Sequence, residues 1–220
     1  MQRPIAFFFA FLIQITFADT GLPAQPGTYD QKGEELVRQA SQKILSYESF
    51  RIDFSYVMEN EQMQISERMD GVLLARGNSY HMKVGDNAFV SDGVNVWTYL
   101  GDVNEVHISL VEDTEGGLTP TSLFHEFETQ FRSRYIRQET HQGQLVDLID
   151  MVPHQPTAFY KYRLALDART QQLVYTAAYD RHGGTYTYAV KNFQENVRIP
   201  ENTFGFSLDA HPGVEVIDLR

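Results

Sequence analysis

The chain has 220 residues, no cysteine, 13% aromatic residues and a formal net charge of -11 at pH 7. Without cysteine there can be no disulfide, thiol nucleophile or thiolate metal site. The acidic balance argues against a nucleic-acid partner and against electrostatic adhesion to anionic membranes.

Residues 1–18 place one cation, Arg3, before an apolar run from Ile5 to Ile15. A bilayer span needs about 20 apolar residues, so the run is too short to cross. Thr16-Phe17-Ala18 offers a small-x-small cleavage site, and Leu22-Pro23-Ala24 offers a second, weaker one. The expected domain plan is a secretory signal peptide at 1–18, with cleavage as late as 24 as the variant, a loose leader at 19–29 and one folded domain at 30–220. An uncleaved anchor or a buried apolar segment is the competing reading of the first 18 residues. Removing them takes away only Arg3, which moves the net charge from -11 to -12.

Asp30 to Tyr47 has Leu36, Val37, Ala40, Ile44 and Tyr47 at helical spacing, with Glu34 and Glu35 near the start, where the helix dipole favours acids. Phe50 to Glu59 alternates: Phe50, Ile52, Phe54, Tyr56 and Met58 point one way, as in a half-buried strand. Further strands are expected at 64–75 and 79–84, linked by Arg76-Gly77-Asn78. Tyr80, Met82 and Val84 share one face of the second of these. Next comes a hairpin, Asn87-Ala-Phe-Val-Ser-Asp-Gly-Val-Asn-Val-Trp-Thr-Tyr-Leu100, which turns at Asp92-Gly93 and contains the single Trp of the chain. A strand over 104–111 follows, with Val106, Ile108 and Leu110 expected inward.

Thr119 is a suitable N-cap, with Pro120 at the first helical position. The spacing predicts a helix from Pro120 to Arg132 with Leu123, Phe124, Phe127 and Phe131 on one face. Strands are then expected at 135–140, 145–152, 159–166, 173–179 and 186–193, with short pieces at 204–208 and 214–219. Close spacing and short links imply an antiparallel meander, with two amphipathic helices available to cover one face.

Motifs that carry catalysis are missing. The seven histidines are scattered, with no HExxH, no G-x-S-x-G and no phosphate loop. Asp147 and Asp150 lie on opposite faces of one strand and cannot form a simple pair. No enzyme activity, metal or cofactor is expected. The distinctive feature is a load of large apolar side chains on one side of the sheet. Composition leaves open whether they fill a packed core or line a cavity.

Several stretches, in order, resemble one family. Ala88 to Leu100 is similar to the signature stretch of the outer-membrane lipoprotein carrier (LolA) family. Ser49-Phe50-Arg-Ile-Asp-Phe54 resembles that family's first strand, and Leu73-Leu74-Ala75-Arg76 with Asn78 and Tyr80 its third segment. Thr119-Pro120 before Leu123-Phe124 resembles its central helix. Phe204-Gly-Phe206 and Pro212-Gly213-Val214-Glu-Val-Ile-Asp218 resemble its closing strand. The closing Val216-Ile-Asp-Leu-Arg220 and Asn104-Glu-Val106 resemble members from the Bacteroidetes lineage most.

The resemblance implies a mainly β (α+β) fold: a single unclosed, curved barrel of about a dozen strands, with helices as a lid over a hydrophobic cavity. It implies a monomeric periplasmic chaperone. Such a protein accepts triacylated lipoproteins from an inner-membrane lipoprotein-releasing ABC transporter and hands them to an outer-membrane acceptor. Ile44, Phe54, Tyr80, Met82, Phe89 and Phe124 match positions that line the cavity and bind acyl chains. Arg76 matches the basic residue that latches the lid, although Gly77 stands where the family usually has Pro. The alternative on the same fold is a periplasmic carrier of other lipids or hydrophobic ligands.

Overall fold

The structure is a computed structural model, described for residues 31–113 and 130–220. The predicted lid residues Leu123, Phe124 and Phe127 therefore lie outside the described residues. Twelve strands form one sheet: β1 (Phe50–Asn60), β2 (Ile65–Arg76), β3 (Ser79–Val84), β4 (Asn87–Ser91), β5 (Asn95–Leu100), β6 (Glu105–Leu110), β7 (Phe131–His141), β8 (Gln144–Pro153), β9 (Phe159–Asp167), β10 (Leu173–Asp180), β11 (Gly184–Glu195) and β12 (Glu215–Asp218). Their spatial order is β12-β6-β5-β4-β3-β2-β1-β11-β10-β9-β8-β7, so β12 and β7 are edges and the sheet is not closed.

Helix α1 (Gln31–Leu45) lies within the predicted span. Leu36, Val37 and Ala40 bury against Ile149 and Met151 of β8 and Leu164 and Leu166 of β9. The helix comes very close to β7 at Gly33, where an added Cβ would stand 2.7 Å from the backbone nitrogen of Tyr135. The face that α1 covers is the inner face. Across it runs one register line, Tyr135, Ile149, Leu164, Thr176, Tyr188, Tyr56 and Met69. A parallel line joins Phe193, Ile52, Leu73, Met82 and Phe89.

The predicted hairpin is β4–β5, with Asp92, Gly93 and Val94 forming the turn. The Asp92 carboxylate accepts from the Val94 and Asn95 backbone N–H groups at 2.8 and 2.7 Å, and Gly93 takes φ +93°, where glycine is at ease. Phe89 lies opposite Thr98 on the inner face, whereas Trp97 lies opposite Val90 and Ile108 on the outer one.

Four expectations need correction. Val106, Ile108 and Leu110 are not inward, because register puts them on the Trp97 face, and the inner positions of β6 are His107 and Ser109. Val106 is nevertheless fully buried, because the outer face here has a covering of its own. Phe131 and Arg132 do not end a helix. They open β7 opposite Pro153 and Val152, and Phe131 packs edge-on against Tyr162 at 5.3 Å. The i, i+4 spacing from Phe127 fitted a helix, but Phe131, Ser133 and Tyr135 also alternate correctly for a strand. Residues 204–208 are not a strand: short 3-10 turns occupy Glu201–Phe204 and Leu208–Ala210. Finally, the meander is antiparallel except at its end, where β12 pairs parallel to β6. After β11 the chain crosses the outer face to the far edge and arrives running in the same direction as β6, as a parallel pair requires.

That crossing segment is pinned by side chains. Arg76 Nη1 donates to the Ile199 carbonyl at 3.3 Å, and its guanidinium lies 5.0 Å over the Phe204 ring. The Tyr99 ring meets His211 at 4.4 Å and Phe206 at 5.6 Å, and His211 stacks on Phe206 at 4.4 Å.

Candidate functional site: the apolar inner face

Strand parity alone brings the candidate residues together. Phe54 of β1, Tyr80 and Met82 of β3 and Phe89 of β4 point inward, and Ile44 reaches the same cluster from the last turn of α1. These five side chains are 2–7% exposed. Phe124, the sixth candidate, lies outside the described residues. Arg76 is on the other side of its strand from the inner Ala75, and its guanidinium engages Ile199 and Phe204 as above.

The face extends well beyond the residues singled out from the sequence. Tyr186 of β11 is buried in the same cluster, and Phe159, Tyr162, Tyr188 and Phe193 pack against it. Tyr188 makes ring contacts with Tyr56 at 4.9 Å and Phe54 at 5.6 Å, and Tyr186 meets Phe159 at 5.3 Å. Alternation from Tyr186 to Tyr188 and Val190 was a usable signal. Phe193 falls out of that phase, and a bulge restores it: Asp53 pairs with Asn192 and Phe54 with Val190, leaving Lys191 as the extra residue.

The buried cluster on this face holds no charged side chain. Burial pushes the Tyr80 and Tyr162 hydroxyls up to about 12. Tyr186 is pushed to about 12 by burial and by its bond to the Asp180 carboxylate. Burial also raises Tyr56 and Tyr188. All five hydroxyls therefore remain neutral near pH 7, so the aromatic cluster is apolar with a few polar oxygens, and the carboxylates of Asp147, Glu67 and Glu195, on inner positions, lie outside it. The acids of β8 take no part in a catalytic pair: Asp147 is inner and accepts from the Tyr135 hydroxyl at 3.1 Å, while Asp150 is gripped by Arg163 on the outer face at 2.6 and 2.9 Å. Among the described residues, no group of three or more His, Asp or Glu side chains is placed to hold a metal ion.

Residues 45–207 match the family profile described as outer membrane lipoprotein carrier protein LolA. The chain belongs to the LolA family, and its unclosed sheet with a helix on the inner face is a LolA-like fold. No curated protein matches the sequence. Among solved structures, an uncharacterized conserved protein from Thermus thermophilus is similar with a TM-score of 0.59 at 12% identity, over 86% of this chain and 99% of that one. A putative outer membrane lipoprotein-sorting protein domain from Vibrio parahaemolyticus gives 0.46 at 14% identity, over 80% and 97%. A LolA superfamily protein from Nitrosomonas europaea gives 0.44 at 9% identity, over 79% and 97%. At 12% identity the likeness to the Thermus thermophilus protein is one of fold.

Proposed function

We propose that this protein is a periplasmic carrier that takes the acyl chains of lipoproteins onto its inner face and shuttles them from the inner to the outer membrane. The observation that carries this is the buried, aromatic-rich apolar cluster on the inner face of an unclosed sheet in a LolA-family chain. Ile44, Phe54, Tyr80, Met82, Phe89 and Phe124 are the acyl-binding residues, and Arg76 is the latch of the lid. Sheathing an acyl chain is worth roughly 0.8 kcal/mol per methylene, so a few large side chains suffice to hold it. Met82 and the phenylalanines adapt to guests of varied shape. Binding need only outcompete water, and moderate affinity lets the cargo leave. The carrier works as a monomer without a cofactor or catalysis. It receives cargo from an inner-membrane lipoprotein-releasing ABC transporter and passes it to an outer-membrane acceptor.

Two measurements test this. A purified triacylated lipopeptide should be solubilised by the wild type and not by Phe89→Arg, whose charge would sit within the apolar cluster. Depletion in cells should make lipoproteins accumulate at the inner membrane. Normal sorting on depletion would remove the lipoprotein role, and solubilisation unaffected by Phe89→Arg would remove the inner face as the site.

A further inference from the structure

On the other side of the sheet, the outer face of β7, β8 and β9 concentrates positive charge in a chain whose net charge is -11. Register builds the patch. Arg134 lies opposite Asp150, which lies opposite Arg163, and Arg132 lies opposite Val152. Lys161 Nζ is 3.9 Å from Asp150 and lies 4.1 Å over the Tyr179 ring. Arg163 spends its charge on Asp150, and Arg137 does the same with Glu139 at 2.6 Å. Five basic side chains share this face with three acids, Asp150, Glu139 and Asp167, an excess of two cations, and Arg132, Arg134 and Lys161 lie together around Asp150. Arg134 is exposed, and the Nε of Arg132 is buried with no hydrogen-bond partner among the described residues. Val152 and Tyr160 flank the cations and are 45% and 44% exposed.

We propose that this outer patch docks the protein on an anionic phospholipid surface. Cations beside an exposed aromatic ring and an exposed aliphatic side chain are the composition that membrane interfaces favour. The acidic total does not prevent it. Charges are felt over a Debye length of about 8 Å at physiological ionic strength, so the local excess governs contact. Arginines on an edge strand also discourage strand pairing, which accounts for Arg132 and Arg134 on β7. It does not account for Lys161, which sits on the interior strand β9. An acidic protein would complement the charge, but the exposed Val152 and Tyr160 favour a surface that accepts apolar groups. This inference goes beyond cargo binding and uses the opposite face of the sheet.

The test is co-sedimentation of the purified protein with vesicles of phosphatidylglycerol mixed with phosphatidylcholine, and with phosphatidylcholine alone. The wild type should sediment with the mixed vesicles only, and high salt should release it. The double variant Arg134→Gln, Lys161→Gln should partition about 25-fold less, at roughly fivefold for each cation at the surface. Arg68→Gln, an exposed arginine on β2, should leave partitioning unchanged. The salt response of the wild type is a readout that needs no variant. Absence of vesicle binding, binding that the double variant retains, or retention on polyglutamate but not on vesicles would each overturn the proposal.

Discussion

The Phe54 ring lies directly over Gly71 on the neighbouring strand, so close that a Cβ on Gly71 would stand 2.4 Å from the ring's Cζ. The same Cβ would be 2.7 Å from the Lys83 carbonyl, which is backbone and cannot swing away. The glycine therefore makes room for an aromatic ring that belongs to the proposed cargo face. Gly71→Ala should cost about 1–3 kcal/mol, as overpacking does, with Phe54 displaced. Urea unfolding measures the cost, and a drop in lipopeptide solubilisation out of proportion to it would tie the ring to cargo. A variant as stable as the wild type would show that the contact is slack.

Gly77 takes φ +54° with open space around the position of a Cβ, so conformation and not crowding constrains it. Proline, the usual family residue here, holds φ near -65° and would have to refold the β2–β3 turn. Gly77→Ala should cost about 1 kcal/mol, and Gly77→Pro clearly more. The reverse order in thermal melts would mean that the turn readily adopts another conformation.

Arg76 joins the end of β2 to the crossing segment through Ile199 and Phe204. Arg76→Leu should lose about 1–2 kcal/mol and speed amide exchange in residues 199–206, because it removes a charged hydrogen bond and a cation–ring contact. If Arg76 also latches the lid, the variant should trap cargo or block its loading. Faster exchange with normal transfer would restrict the residue to anchoring.

His81 lies on the outer face beneath that same segment. Burial holds its proton affinity below the ordinary value of 6.5, a bond to the Thr203 backbone partly opposes this, and Lys83 adds to the lowering. The folded state binds the proton less well than the unfolded one. This contribution is therefore present above pH 6.5 and is lost as the pH falls through and below it. Urea midpoints should decline on acidification, and His81→Gln should flatten the decline between neutral pH and pH 5. An unchanged slope would assign the acid response to other groups.

Period-two alternation made most of the sheet legible. Phe50 to Met58 and Tyr80 to Val84 are inward as their patterns require. The pattern cannot name a side, however, and that is where β6 misled. Val106, Ile108 and Leu110 are apolar because the crossing segment gives the outer face a second core, and no local signal announces a cover arriving from about a hundred residues downstream. At the site, Phe54, Met82 and Phe89 could be read from parity, but the β11 aromatics could not be completed, because the bulge at Lys191 shifts the phase only once β1 is alongside. The parallel pairing of β12 was illegible for a simpler reason: strand direction depends on the path of the connection, not on the strand's composition.

The seam between β1 and β11 also determines how the molecule is assembled. Phe50 faces Glu195, so the strand that opens the sheet in sequence waits for one near the end of the chain. The runs β1 to β6 and β7 to β11 each pair neighbour with neighbour through short local links. Joining them requires long-range closure, which slows folding to the regime of non-local β topologies. Until that last pairing, both half-sheets expose their aromatic inner residues, so the newly made chain is itself a client in need of shelter before it can offer any.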